Sequence, residues 1–294
     1  MIAIENLVKR FGDVVAVDNL SFEVGNGEIF GLLGPNGAGK TTTIRIVMDI
    51  IQADEGTVRV MGQLPRQAKD HVGYLPEERG LYRDLKVLDT LVYLAELKGV
   101  PRSEGRERAM ALLERVALED WASRKVRDLS RGMQQRVQFI ASIVHDPVVL
   151  FLDEPFQGLD PVNVERIKVM IAELHEAGKT IVLSTHQMNM VEALCDRILL
   201  INRGYALLYG ALAEIKEAYA PHAVRVRAPG VPPDLKGVVA VEPDDGAFNL
   251  SLADEVLPRD VLVELLDRDV DVRAFEVAPV PLEDIFVAAV AEEG

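Results

Sequence analysis

Cysteine is nearly absent. Cys195 is the single one in 294 residues, so no internal disulfide can form, and a reducing compartment is the expected setting. Long apolar runs are missing as well. A spanning helix needs roughly 20 consecutive apolar residues, whereas the strongest runs, Val148 to Leu152 and Ile198 to Ile201, are short and strand-like. The opening MIAIENLVKRFG lacks the apolar core of a secretion signal. Any membrane role is therefore expected to reside in a partner chain. Positive charge is in short supply: 32 Lys and Arg face 47 Asp and Glu, for a net charge of −15. No broad cationic surface is on offer for a phosphate backbone, so nucleic acid is not expected as a partner. What is present is the composition of a globular protein, 49% hydrophobic and 27% charged, able to bury a full core.

The acidity is uneven, with 7 basic and 18 acidic residues from 211 onward. Patterning divides the chain at the same place. Strand-like stretches Ile2 to Leu7, Leu20 to Val24, Ile29 to Leu33 and Thr57 to Val60 open it, with a helix expected over Lys40 to Ile50. From Leu88 to about Leu118 the spacing of Leu91, Leu94, Ala95, Met110, Leu113 and Val116 is helical. Strand signals then return at Val148 to Leu152, Thr180 to Ser184 and Ile198 to Ile201, separated by helices near Val162 to Glu176 and Met188 to Leu194. This alternation predicts an α/β fold. Past Pro221 come short strands, Val224 to Ala228, Val238 to Val241, Phe248 to Leu252 and Val270 to Val277. Helices are expected over Arg259 to Leu266 and Leu282 to Val290, with turns at Pro229, Pro232, Pro233 and Asp244-Asp245-Gly246. Two domains are expected: residues 1–219, with a helical insertion over about 78–128, and a small α+β domain over 220–294.

One segment carries the chemistry. Gly34-Pro35-Asn36-Gly37-Ala38-Gly39-Lys40-Thr41-Thr42 lies between a predicted strand and a predicted helix, the context a phosphate-binding loop requires. Its glycines let backbone N–H groups converge on phosphate oxygens, and the helix adds its positive end. Lys40 reaches the β and γ phosphates, and Thr41 presents a hydroxyl to Mg²⁺. Downstream, Val148 to Leu152 forms a buried strand that ends in Asp153-Glu154. Beside a phosphate loop, this pair supplies a metal-organising Asp153 and a base, Glu154, that polarises attacking water.

On these motifs the chain, from Ile2 to Gly210, resembles the nucleotide-binding subunits of ATP-binding cassette transporters. The fold that this resemblance implies is a P-loop NTPase: a RecA-like core, an antiparallel β subdomain and a helical subdomain. Further segments match the family. Leu129-Ser130-Arg131-Gly132-Met133-Gln134-Gln135-Arg136 stands where the family has its signature, so Ser130 and Gly132 are implied to touch ATP held by a second subunit. Gly158-Leu159-Asp160 matches the loop crossing the dimer interface. His186 in Ser184-Thr185-His186 matches the switch histidine, and Phe11, 23 residues before Gly34, matches the aromatic that stacks on adenine. Taken alone, Phe11 and His186 would read as packing or surface residues. His71, His145, His175 and His222 have no such company. Cys195 and Trp121 read as packing residues.

Departures accompany the matches. Glu77, in Gly73-Tyr-Leu-Pro-Glu77-Glu-Arg-Gly-Leu-Tyr82, replaces the usual glutamine and brings a second carboxylate toward the metal. Arg131, Met133 and Gln157 also differ from the common residues. The Glu77 segment, the signature and the tail Pro281-Leu-Glu-Asp-Ile-Phe286 resemble ATPases of two-component exporters that handle sodium or drugs. The resemblance implies ATP and Mg²⁺ as cofactors, a head-to-tail pair of ATPase subunits, identical or not, and a separate transmembrane permease. It places the protein in the cytoplasm at the inner face of the cell membrane. Leu81, Tyr82 and Leu85 are either core or docking contacts for that permease. Two other readings are a soluble ATPase of this fold acting on ribosome or DNA, and a nucleotide-binding regulator without hydrolysis. A single cassette without coiled coil or basic segment weighs against the first. The retained Glu154 and His186 weigh against the second.

Overall fold

A computed structural model describes all residues except 79, 220–222, 245, 254–255, 278–280 and 293–294. Arg79, Pro221, His222 and Asp245, each named above, thus lie outside the described residues. The chain separates into two compact units, Met1–Leu212 and Ala213–Gly294.

The first unit begins with β1 (Ile2–Phe11), β2 (Val14–Val24), β3 (Ile29–Leu33), α1 (Lys40–Val47), β4 (Glu55–Val60), the short α2 (Pro65–Ala68) and β5 (Val72–Leu75). Helices α3 (Val87–Leu97), α4 (Arg102–Arg115) and α5 (Arg131–Ile143) follow. Then come β6 (Val149–Asp153), α6 (Pro161–Glu176), β7 (Thr180–Thr185), α7 (Met188–Leu194), β8 (Arg197–Asn202) and β9 (Tyr205–Ala211). Strands β2-β1-β4 form an antiparallel sheet. The second sheet, β5-β6-β7-β3-β8-β9, is parallel except for β9, which runs antiparallel to β8. Every residue of β3, β6 and β7 is buried, as expected of parallel strands covered on both faces. The two sheets share one apolar core with α1, in which Ile4, Leu20, Phe30, Ile44, Phe151 and Leu199 are fully or nearly fully buried.

Boundaries move where local chemistry intervenes. Helix α1 stops at Val47, three residues short of the expected Ile50. Asp49 adopts a left-handed conformation (φ 56°), and the Ile50 N–H turns back to the Arg45 carbonyl, closing the last turn. Strand β2 starts at Val14 rather than Leu20 because it pairs with β1 as far as Phe11↔Val14, around a turn at Gly12 with φ 58°. Asn6, φ 48°, marks a register shift in β1. Strands β5 and β9, unforeseen in the sequence, complete the two edges of the six-stranded sheet.

The second unit contains α8 (Leu212–Ala218), beginning at the last residue of the first, and β10 (Ala223–Arg227), β11 (Val238–Asp244), β12 (Ala247–Leu252), α9 (Pro258–Asp267), β13 (Ala274–Val277) and α10 (Leu282–Glu292). Its four strands make an antiparallel sheet in the order β11-β12-β10-β13. Val224, Val226, Leu250, Leu252, Val261 and Leu265 form a core of its own.

Candidate functional site

The parallel sheet and α1 bring the phosphate-loop residues to one place. β3 ends at Leu33, the loop turns, and α1 begins at Lys40 after Gly39 in a left-handed conformation, φ 109°. Glycine is obligatory at two of these positions. A Cβ on Gly34 (φ 146°) would fall on the Ile201 carbonyl oxygen, and one on Gly39 would lie 2.5 Å from the Ala16 carbonyl oxygen. A cavity of about 160 Å³ opens over the loop, walled by Asn36 through Thr42 together with Ala16, Glu77, Asp153 and Glu154.

Lys40 is buried, and its Nζ donates to the Gly34 carbonyl (2.7 Å) and the Pro35 carbonyl (3.1 Å). Burial pulls its pKa below the ordinary lysine value, opposed by the charges of Glu154, Asp153 and Glu77. Asp153, the last residue of β6, is fully buried, yet neither carboxylate oxygen has a hydrogen-bond partner. Burial raises its pKa. The Ser184 and Thr41 hydroxyls are near enough to offset this in part without completing a hydrogen bond, and the charges of Glu77 and Glu154 add to the rise. An orphaned carboxylate facing a hydroxyl and a second carboxylate fits a hard divalent cation. Among the described residues no cluster of three or more His, Cys, Asp or Glu stands ready for a metal. A cation held by Asp153, Thr41 and Glu77 would therefore complete its shell with phosphate oxygens and water, as Mg²⁺ does in nucleotide sites.

Glu154 is positioned by several groups. Its backbone is left-handed (φ 50°), a costly conformation for a residue with a side chain, and its N–H donates to the Ser184 carbonyl at 2.9 Å. The carboxylate accepts from the Thr185 hydroxyl (3.1 Å), the His186 N–H (3.1 Å) and His186 Nδ1 (2.7 Å). Because an ionised carboxylate only accepts, Nδ1 carries the proton and Nε2 stays free. The His186 side chain is 46% exposed, with Glu154 buried beside it.

The remaining candidates do not line this cavity. Ser130 caps α5, accepting the Met133 N–H at 3.3 Å, and Asp160 caps α6, accepting from the Asn163 N–H at 3.0 Å. That hydrogen bond and a second from the Asn163 side chain hold the Asp160 carboxyl below its usual range. Gly132 lies against the 158–159 turn, where a Cβ would be 3.3 Å from the Gly158 carbonyl oxygen. Ser130, Gly132 and Asp160 thus gather around the starts of α5 and α6. Phe11 ends β1 with its ring 50% exposed and Lys9 Nζ 5.4 Å from its centroid. A core role for Phe11 is thereby excluded.

Sequence reasoning missed Ala16, which walls the cavity from near the start of β2, and the buried amides of Gln135 and Gln138. Gln135 donates to the Glu154 and Pro155 carbonyls, and Gln138 to those of Pro76 and Glu78. Nothing in the spacing of an alanine or a glutamine signals such contacts. Two of the unassigned histidines have local explanations. His175 bonds the Gly27 carbonyl, and His145, bonded to the Val72 carbonyl, is pushed down to about 4 by burial. Cys195 is buried, which pushes its thiol pKa up.

Residues 17–157 match the family model described as ABC transporter. Residues 210–290 match that of the C-terminal domain of ATP-binding proteins like DrrA1-3. An ABC transporter ATP-binding protein of Bacillus subtilis, YhaQ, is 38% identical over 99% of this chain and 98% of its own. The Nod factor export ATP-binding protein I of Ralstonia nicotianae is 40% identical over 73% of this chain and 68% of its own. Among solved structures, the dimeric post-hydrolysis state of the ATP-binding cassette MJ0796 with ADP and Pi superposes with a TM-score of 0.67 at 26% identity. It covers 72% of this chain and 99% of the other. With the phosphate loop at the end of β3 and the orphaned aspartate and braced glutamate at the end of β6, this chain belongs to the ATP-binding proteins of ABC transporters, as their ATP-hydrolysing subunit.

Proposed function

We propose that the protein is the motor of an exporter: two ATPase subunits close head to tail around two ATP molecules and drive a separate membrane permease. In this reading Asn36 to Thr42 hold the phosphates, and Lys40, released from the Gly34 and Pro35 carbonyls, turns to the β and γ phosphates. Asp153, Thr41 and Glu77 would hold Mg²⁺, which would supply neutralisation of phosphate charge. Glu154 draws a proton from the attacking water, while His186, protonated at both ring nitrogens, keeps Nδ1–H on Glu154 and donates Nε2–H to the γ-phosphate. The observation that carries the reading is the Glu154–His186–Thr185 network on a strained backbone at the cavity wall. Such strain is retained where surrounding contacts over-determine it, and functional sites are where it clusters.

A second subunit follows from the separation of Ser130, Gly132 and Asp160 from the phosphate cavity. Around the start of α5 they form a second surface, with helix N–H groups suited to an anion. Phe11, exposed at the end of β1, is the residue we read as stacking on the base. Export is the direction of the Nod factor relative. No helix among the described residues is long and apolar enough to cross a membrane. Attachment at the inner face is therefore assigned to the permease, with Tyr82 and Leu85, 49% and 43% exposed, as docking contacts.

Solution mass of the Glu154→Gln protein, with and without Mg-ATP, tests the scheme alongside phosphate release by the unmutated protein. Slowed hydrolysis should trap an ATP-dependent dimer, and hydrolysis should require Glu154. A monomer at saturating Mg-ATP, combined with unimpaired hydrolysis by Glu154→Gln, would refute both the pairing and the base.

A further inference from the structure

Glu77 stands in the loop after β5, with an exposed side chain on the cavity wall. Its loop is held from one place in particular. Gln138, in the middle of α5 and 4% exposed, donates through a single nitrogen, Nε2, to the Pro76 carbonyl (2.9 Å) and the Glu78 carbonyl (3.0 Å). These carbonyls belong to the two residues on either side of Glu77. Both partners only accept, so the amide nitrogen must face them, and the orientation of the side chain is fixed. The opposite atom, Oε1, is buried without a partner. An unsatisfied buried acceptor costs stability that an apolar residue here would not. The amide therefore has a purpose in its donors rather than in packing. The other anchor of the loop, the Arg45–Glu78 ion pair at 3.4 Å, is exposed and open to screening.

Gln138 also faces away from the nucleotide cavity. With Tyr74, Leu81, Leu94, Ala141 and His145 it lines an apolar groove of about 280 Å³. One amide thus belongs at once to the groove and to the loop that carries Glu77.

Resting on the reading of Glu77 as cation-facing, we infer that Gln138 is the positioning residue for Glu77. By bridging Pro76 and Glu78 it sets how far the Glu77 carboxylate reaches toward Asp153 and Thr41, and so sets the cation affinity of the nucleotide site. Its loss leaves the phosphate loop intact and lets the Glu77 loop relax. Nucleotide binding without the cation is therefore untouched, and binding that depends on the cation is weakened.

The test is titration of the full-length protein with a fluorescent ATP analogue, in EDTA and across a Mg²⁺ series, for the unmutated chain, Gln138→Met and Gln138→Ala. Methionine keeps the length and apolar bulk of the side chain but has no donor. In EDTA all three should bind the analogue within about twofold of one another, while the Mg²⁺ midpoint rises about tenfold in both variants, the size of effect usual for a partner of a metal ligand. Turnover at saturating Mg²⁺ should be retained, so that the defect appears as a cation requirement rather than as a loss of kcat. If Gln138→Met matches the unmutated chain, the side chain only fills space and the inference falls by itself. Equal weakening in EDTA and in Mg²⁺ would likewise overturn it, as a general packing loss. Should the unmutated protein bind nucleotide with no dependence on Mg²⁺, the cation-facing reading of Glu77 falls, and this inference with it.

Discussion

Asp153 carries a stability cost that the proposed cation site would explain. Both carboxylate oxygens are buried without a partner, and burial raises the carboxyl pKa. A carboxyl whose folded pKa lies above its unfolded value binds a proton more tightly in the native state. Its contribution therefore favours folding as pH falls through the folded value and opposes folding above it. At neutral pH and without nucleotide, Asp153→Asn should raise the melting temperature by roughly 2–4 °C, the shift of about 1 kcal/mol in a chain of this size. The same change should abolish Mg²⁺-dependent hydrolysis. Thermal melts over a descending pH series check the sign: the gain should shrink as pH falls through the folded value of Asp153, and a fall in melting temperature at pH 7.5 would contradict the argument. Much of this was legible in the chain, because Lys40, Asp153 and Glu154 sit in motifs whose chemistry follows from residue type and order. The hydrogen bond from His186 Nδ1 to Glu154 was not, because 32 residues separate the partners and only the alignment of β6 beside β7 brings them together.

At the scale of elements, the strand β5 was hidden because Val72-Gly73-Tyr74-Leu75 is short and leads directly into Pro76. Its place is fixed by close packing on α5. A Cβ on Gly73 would fall on the Ser142 carbonyl oxygen, with Leu150 Cδ1 2.7 Å and Pro147 Cγ 2.9 Å away. Two of these three contacts come from atoms with little freedom to yield. Gly73→Ala should therefore destabilise the first unit by about 1–3 kcal/mol, the usual cost of overpacking. It should also weaken Mg-ATP binding, since β5 delivers the loop that carries Glu77. Urea denaturation measures the first effect, and a midpoint equal to that of the unmutated chain would show that the strand can move off the helix freely. Helix α5 was not among the helices expected over a stated range, and Ser130, which caps it, was singled out only through the family resemblance. Its role as the carrier of Gln135 and Gln138, which reach the Glu154 and Glu77 loops, depends on which face meets the sheet.

For the whole molecule, two units with separate apolar cores predict two unfolding transitions. The phosphate cavity belongs entirely to the first unit, so ligand linkage should act on that transition alone. Mg-ATP at about 100 times its Kd should stabilise it by about 2.7 kcal/mol and leave the other in place. Calorimetry of Glu154→Gln, in which hydrolysis is slowed, makes this measurable. A single transition displaced as a whole would mean that the units unfold together. The change of texture near Pro221 set the expected boundary at 219/220, whereas the compact units divide at 212/213; α8 between the two was not foreseen, and β13 covers only Ala274–Val277 of the expected Val270–Val277.

The sequence alone determined the α/β class, the phosphate loop, the acidic pair and the family, because each rests on residue type at fixed local spacing. Only the tertiary structure decided which groups share the cavity. It orphaned the Asp153 oxygens, fastened His186 to Glu154, and left Phe11, Ser130, Gly132 and Asp160 outside the wall that Lys40 lines. It also placed Gln138 across the Glu77 loop. Those outcomes depend on strand order and on the face of α5 turned toward the sheet. Both arise from contacts far apart in sequence, which local spacing does not encode.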